Sequence, residues 1–428
     1  MSGVFIKPVA KIYGEVRVPG DKSISHRAAL FGGMAVGETH ITNFLPGEDC
    51  LSTLRCLRGL GVEWERNGTE VWIRGKGQGA WQEPSDVLDV GNSGTSIRLL
   101  LGAIAGSPLA VTLTGDSSIR RRPMKRVTEP LKQMGARILG RSDGNLAPLT
   151  IAGGNLAGQS FKTAVASAQV KSAILLAGLN ARGETSVEEP VLSRDHTERM
   201  LKGFGVELYR EGNLVKVNGG QKLKAQDIDV PGDISSAAFF LVLGALIKQG
   251  ELVLEDVGMN PTRTGIVDVL REMGADIKEE AVSEVCGEPR ATLRVRSSEL
   301  KGIEISGEII PRLIDELPVI AVAASLAQGE TVVRDAGELR VKESDRIKCV
   351  VDSLSALGAK IEELPDGFRI QGQPILRGGA AKSYDDHRLA MAWAIAGMLS
   401  SEGVSVEGME AANVSFPTFL ETLNLISR

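Results

Sequence analysis

The sequence predicts an α/β protein of six repeated units, three in each of two domains. Three observations carry that expectation. A helix-ending phrase recurs along the chain, an apolar helix keeps the same beat, and 50 glycines stand against only 4 Trp, 3 Tyr and 10 Phe. Such a composition suits many tight turns and small, closely packed core residues.

The phrase is a leucine, then two or three residues on an apolar residue, glycine, and Ala or Val. It reads Leu57-Arg-Gly-Leu-Gly61-Val, Leu131-Lys-Gln-Met-Gly135-Ala, Leu201-Lys-Gly-Phe-Gly205-Val, Leu270-Arg-Glu-Met-Gly274-Ala and Leu354-Ser-Ala-Leu-Gly358-Ala. Its glycines are 74, 70, 69 and 84 residues apart. Glycine takes the left-handed conformation that ends a helix without a Cβ clash, so each copy predicts a helix, its stop and a following strand. A sixth copy would fall near Leu423.

The apolar helices are expected to start near Ser23, Ser93, Ser167, Ser235, Asp315 and Asp386. Past their first turns they carry almost no charge, and a helix apolar on every side must be surrounded by other elements. Most run into a turn and a strand, as in Gly37-Glu-Thr-His-Ile-Thr, Gly183-Glu-Thr-Ser-Val, Gly250-Glu-Leu-Val-Leu, Gly329-Glu-Thr-Val-Val and Gly403-Val-Ser-Val. A six-unit solenoid needs atypical capping repeats, and none stands out. Two globular domains with a cleft are therefore expected, with a crossover near Lys224-Ala-Gln-Asp-Ile-Asp-Val-Pro-Gly232. This gives one domain at 17–226 and another at 1–16 plus 227–428.

Bulk numbers exclude several classes. The net charge is −5, from 49 Lys+Arg and 54 Asp+Glu, which argues against a general nucleic-acid binder. A long uncharged and apolar run, Leu99 to Gly115, is broken by Gly102, Gly106 and Pro108, so no membrane span is expected. Met1 to Pro8 lacks the apolar core of a secretory signal. Cys50, Cys56, Cys286 and Cys349 show no C-x-x-C spacing, which argues against structural zinc and fits a reduced, cytoplasmic setting.

The polar helix starts carry the chemistry, because a helix N-terminus offers unpaired N–H groups and a partial positive charge to an anion. In Gly20-Asp-Lys-Ser-Ile-Ser-His-Arg27, Lys22 and Arg27 flank serines, which reads either as a solvated cap or as an anion seat. In Gly91-Asn-Ser-Gly-Thr-Ser-Ile-Arg98, Gly94 admits a ligand close to the backbone. Its spacing is not that of a P-loop. In Asp116-Ser-Ser-Ile-Arg-Arg-Arg-Pro-Met124, three arginines cannot share one face. Arg122, next to rigid Pro123, is the one suited to grip a carboxylate or phosphate. Ser167 and Gln169 offer neutral hydrogen bonds, and Ser193-Arg-Asp-His-Thr-Glu-Arg199 supplies further cations. Leu339-Arg-Val-Lys-Glu-Ser-Asp-Arg-Ile-Lys348 reads either as a charged helix face or as part of a site. His387 and Arg388 open an apolar helix, where packing gives them no reason. Asp315 and Glu316 precede another apolar helix, as caps or, facing cations, as a general base. Many cations, several anion-favouring helix starts and no metal or cofactor fingerprint together describe a site for two anionic small molecules. Its chemistry would rest on positioning and charge stabilisation.

In order and spacing, Gly20-Asp-Lys-Ser23, Asn92-Ser-Gly-Thr95, Ser167-Ala-Gln-Val-Lys171, Leu339-Arg-Val-Lys-Glu-Ser-Asp-Arg346 and Asp386-His-Arg388 resemble the 5-enolpyruvylshikimate-3-phosphate synthase family over essentially the whole chain. Arg194-Asp-His-Thr-Glu198 and Asn260-Pro-Thr-Arg263 add a resemblance to its class II subgroup, whose members are often glyphosate-tolerant. The resemblance implies the enolpyruvyl transferase fold, a two-domain inverse α/β barrel of six βαβαββ units. It implies transfer of the enolpyruvyl group of phosphoenolpyruvate to the 5-hydroxyl of shikimate-3-phosphate, on the shikimate pathway to chorismate and the aromatic amino acids. It further implies no cofactor and no metal, a cytoplasmic monomer, an active site in the interdomain cleft, and glyphosate as an inhibitor.

By the same resemblance, Lys22, Ser23, Arg27, Ser167, Ala168, Gln169, Arg194, Asp315 and Lys342 would hold shikimate-3-phosphate. Lys22, Gly94, Thr95, Arg122, Gln169, Glu343, Arg346 and Arg388 would hold phosphoenolpyruvate. Asp315 would take the 5-hydroxyl proton, and Glu343, with Lys22 or His387 assisting, would protonate the methylene carbon. The chain departs from the family at Asn413-Val-Ser-Phe-Pro417, where many members carry a lysine in place of Ser415. It also has glycine at 94, where strongly tolerant class II members can carry alanine. The sister family acting on UDP-N-acetylglucosamine usually has a catalytic Cys or Asp near Arg120–Arg122, where only Asp116 is available here. RNA terminal-phosphate cyclases share related units but should be strongly basic.

Overall fold

The computed structural model describes residues Gly3–Val285 and Gly287–Ser427, so Met1, Ser2, Cys286 and Arg428 lie outside the described residues. The chain divides into two compact units. One comprises Gly20–Val230 with Glu284–Glu288, and the other comprises the residues up to Pro19, Pro231–Ser283 and the residues from Pro289 on. The expected boundaries, 17–226 against 1–16 plus 227–428, lie three and four residues before these, and the expectation placed 284–288 in the other domain.

In the Gly20–Val230 unit the second and third repeats are each a complete βαβαββ. Strand Leu88–Asp89 leads through the buried helix Gly94–Ala105 to the parallel strand Ala110–Thr114. The amphipathic helix Lys125–Met134 follows, burying Val127, Thr128, Leu131 and Met134 at helical spacing. An antiparallel hairpin of Arg137–Gly140 and Leu146–Ala152 then completes a four-stranded sheet. The third repeat runs the same course from Ser160–Lys162 to Leu214–Asn218. The first repeat takes its leading strand from far along the chain: Ile228–Asp229 pairs parallel with Ile41–Thr42.

The other unit uses the same device twice. Lys11–Val16 pairs parallel with strand Gln249–Gly258 of the fourth repeat. Val4–Ile6 pairs antiparallel with Val404–Glu407 of the sixth. Among the described residues the sixth sheet has three strands where each of the other five has four. It therefore departs from a full βαβαββ, with Val4–Ile6 standing where the others place a hairpin.

The six apolar helices are Lys22–Met34, Gly94–Ala105, Ala168–Gly178, Ile234–Leu246, Leu317–Leu326 and His387–Leu399. In Ile234–Leu246 every residue from Ile234 to Ala245 is buried. Small residues let such helices pack backbone against backbone. A Cβ on Gly102 would lie 2.3 Å from the Ala173 carbonyl oxygen, so only glycine fits there. All five phrase glycines have φ between 84° and 114°, as the helix-stop reading requires. Among the described residues no helix is long and apolar enough to cross a membrane.

Candidate active site

In the Gly20–Val230 unit, Asp21 rather than Ser23 caps the first apolar helix, its Oδ1 accepting the Ile24 N–H at 2.8 Å. The helix then presents Lys22, paired with Asp49 at 2.7 Å, and Ser23, half-buried. Arg27 is 3 % exposed. Its guanidinium donates to Thr197 Oγ1 at 2.7 Å, to Ser172 Oγ at 2.9 Å and to the Ser23 carbonyl at 3.0 Å. Burial pulls its pKa down to about 10 against the raising effect of Glu198, and the Arg194 charge adds to the lowering. Arg194 itself is half-buried.

Ser93 caps the Gly94 helix, accepting the Ser96 N–H at 3.1 Å. A Cβ on Gly94 would meet Arg98 Nη1 at 2.8 Å and Arg122 Nη1 at 3.0 Å, so the missing side chain brings two guanidiniums up to this backbone. Arg98 Nη1 donates to the Gly94 carbonyl at 3.1 Å and to Gln169 Oε1 at 2.9 Å, and Gln169 Nε2 donates to Thr95 Oγ1 at 3.0 Å. Arg122 donates to Asn92 Oδ1 at 2.9 Å and Ser118 Oγ at 3.2 Å, while Arg120 and Arg121 are exposed. Ser167 and Ala168 are half-buried where the third apolar helix begins, with Ser167 as its cap. Sequence reasoning quoted Arg98 but gave it no role. The signal was there: a cation one turn after Gly94 in an otherwise uncharged helix. Asp116, the rival family's candidate acid, accepts Asn92 Nδ2 at 2.6 Å and the Ile119 N–H at 2.9 Å, bonds that tie it into its turn.

The other unit gathers carboxylates. Arg346, 1 % exposed, opens helix Arg346–Ala356. It pairs with Asp386 at 2.8 Å, Glu343 at 2.8 Å and Asp315 at 3.1 Å. Burial alone would lower the Arg346 pKa, but the Asp386, Glu343 and Asp315 charges outweigh that and raise it. Asp315 Oδ1 also meets Lys342 Nζ at 3.2 Å. Asp315 stands one residue before the helix cap Glu316 and is engaged by these cations. Asp386 both holds Arg346 and caps the last apolar helix, accepting the Arg388 N–H at 2.9 Å. His387 and Arg388 are each 5 % exposed. Nη1 of Arg388 is buried with no hydrogen-bond partner among the described residues, the kind of donor that an anion satisfies. Ser415, where many family members carry lysine, is buried. Among the described residues no group of three or more His, Cys, Asp or Glu could hold a metal.

The chain as a whole matches a known family. A family model described as EPSP synthase (3-phosphoshikimate 1-carboxyvinyltransferase) covers residues 6–423. This chain belongs to the EPSP synthase family. A 3-phosphoshikimate 1-carboxyvinyltransferase of Desulfitobacterium hafniense is 69% identical over 425 residues, covering 99% of this chain and 98% of the relative. One from Bacillus cereus is 57% identical over 424 residues, with 99% of each covered. The solved EPSP synthase from Acinetobacter baumannii is 44% identical with a TM-score of 0.89, over 99% of this chain and 97% of that one. The family match spans residues of both units, those of both clusters included.

Proposed function

We propose that this chain transfers the enolpyruvyl group of phosphoenolpyruvate to the 5-hydroxyl of shikimate-3-phosphate and releases phosphate. The observation that carries the reading is the gathering of Asp315 and Glu343 on one buried guanidinium, Arg346, at 3.1 and 2.8 Å. A base and an acid held by one rigid cation are what addition of a hydroxyl across an alkene requires.

In this reading Asp315 takes the 5-hydroxyl proton as that oxygen bonds to C2 of phosphoenolpyruvate. Glu343, with Lys22 or His387 assisting, delivers a proton to the methylene carbon, which becomes a methyl group. Loss of phosphate, with return of one methyl proton to the protein, then restores the double bond. Arg122, Arg346 and Arg388 offset the charge on phosphoenolpyruvate and on the leaving phosphate. Lys22, Ser23, Arg27, Ser167, Ala168, Gln169, Arg194 and Lys342 hold the acceptor, and Gly94 and Thr95 give phosphoenolpyruvate its backbone seat. The reading is of a cytoplasmic monomer that needs no cofactor.

The test is phosphate release from phosphoenolpyruvate, run separately with shikimate-3-phosphate and with UDP-N-acetylglucosamine. Release is expected only with the first, and none with it removes the proposal. Glyphosate is proposed to compete for the phosphoenolpyruvate seat. The Gly94→Ala variant should fold normally, because the groups its methyl meets are the far ends of two long side chains rather than backbone. Its glyphosate inhibition constant should rise more than its KM for phosphoenolpyruvate, and equal changes would remove the assignment of Gly94 to this discrimination.

A further inference from the structure

We propose that Glu189, together with Lys171, is a positioning residue for the acceptor substrate. The proposal rests on the reading above, in which Ser167, Gln169 and Arg194 hold shikimate-3-phosphate.

Lys171 lies in the first turn of helix Ala168–Gly178 with a fully buried side chain. That is a doubly unfavourable place for a cation: the helix N-terminus repels it and burial strips its water. Two carboxylates hold it there. Glu189 Oε2 lies 2.9 Å and Glu198 Oε1 lies 2.8 Å from its Nζ, and the two side chains are only 1 % and 4 % exposed. Together they outweigh burial and keep Lys171 charged.

Glu189 does more than neutralise. Its Oε1 accepts the Ser167 N–H at 2.9 Å. Its Oε2 accepts the Ser193 hydroxyl at 2.7 Å and the Ser193 N–H at 3.3 Å. One carboxylate thus ties together the turn carrying Ser167 and Gln169 and the turn carrying Arg194. Glu198 extends the set toward Arg27, whose charge it favours, and neighbouring Thr197 accepts from Arg27 Nε at 2.7 Å. Lys171 and Arg27 against Glu189 and Glu198 make a buried set of zero net charge. Buried ions seldom add stability over apolar residues of the same volume. Their presence beneath these two turns is explained by orientation of the turns.

The test compares the full chain with Glu189→Gln and Ser193→Ala. A glutamine can still accept from Ser167, but its amide end can no longer accept both Ser193 donors or neutralise Lys171. Glu189→Gln should raise KM for shikimate-3-phosphate about tenfold or more, with KM for phosphoenolpyruvate within about twofold of the parent. Ser193→Ala, which removes a single donor, should raise the same KM about threefold. A folded Glu189→Gln variant with both KM values unmoved, or with both raised alike, overturns the proposal. If that variant does not fold, an unmoved KM in Ser193→Ala overturns it. No turnover by the unaltered chain overturns the functional reading and the proposal with it, whereas an active parent with an unmoved variant KM overturns the proposal alone.

Discussion

Arg346 and Arg27 are both buried cations assigned to substrate, yet they are held in opposite ways. Arg346 is ringed by Asp386, Glu343 and Asp315, and its pKa is raised. Arg27 bonds to two hydroxyls and a carbonyl, and burial lowers its pKa to about 10. A guanidinium already matched by the protein's own carboxylates organises those carboxylates, which suits the proton-handling role proposed for Asp315 and Glu343. Arg27 donates only to neutral groups and feels its carboxylates, Glu198 first, at longer range, which suits the anion-holding role proposed for it. The buried Nη1 of Arg388, without a hydrogen-bond partner among the described residues, is the corresponding donor in the unit that otherwise gathers carboxylates.

That contrast can be broken by experiment. Removing the organising cation should have the largest effect. Arg346→Met takes the shared cation from Asp386 and Glu343 and leaves Asp315 with Lys342, and the folded state should lose about 3–5 kcal/mol in denaturant unfolding. A loss below about 1 kcal/mol would put Arg346 on the same footing as Arg27.

A smaller effect comes from the ring beside Arg27. His26 is buried with Nδ1 2.8 Å from Thr53 Oγ1, and burial pushes its pKa down to about 3 from the ordinary 6.5. The folded chain keeps the ring neutral, whereas the unfolded chain takes up a proton below about pH 6.5. Stability is therefore lost as pH falls from 6.5 toward 3. Between pH 7 and 5 the parent should lose about 2 kcal/mol more than His26→Asn. Equal losses would show that this pocket does not demand a neutral ring.

The smallest effect is on binding alone. Arg27→Lys keeps the charge but loses the fork that reaches Thr197 and Ser172 together. KM for shikimate-3-phosphate should rise about tenfold with kcat nearly unchanged. A fall in kcat with KM unmoved would move Arg27 into the proton-handling group.

Much of this was legible in the sequence where the signal is local. The phrase glycines announced helix ends because a left-handed residue must follow the last turn. Five of the six apolar helices carry a capping Ser or Asp close to its expected place, since a cap lies within three residues of the N–H it serves. The same locality marked Lys22, Gly94, Arg122 and the Asp386–Arg388 start as anion-seeking. Asp315 stayed open between cap and base, because the choice depends on Lys342 and Arg346, which no local pattern attaches to it.

The sequence by itself determined the repeat, its helix stops, the apolar helices and the chemical character of the helix starts. Each follows from conformational preference or polarity over a few residues. Only the tertiary structure decided that Ile228–Asp229 completes a sheet begun at Val36, and that Val4–Ile6 stands in for the missing hairpin of the sixth repeat. It also decided that Glu189 reaches both Ser167 and Ser193, and that three carboxylates share Arg346. Strand pairing and buried charge pairing join residues up to hundreds of positions apart. Their partners are chosen by the packing of the whole unit, which leaves no periodic trace in the neighbouring residues.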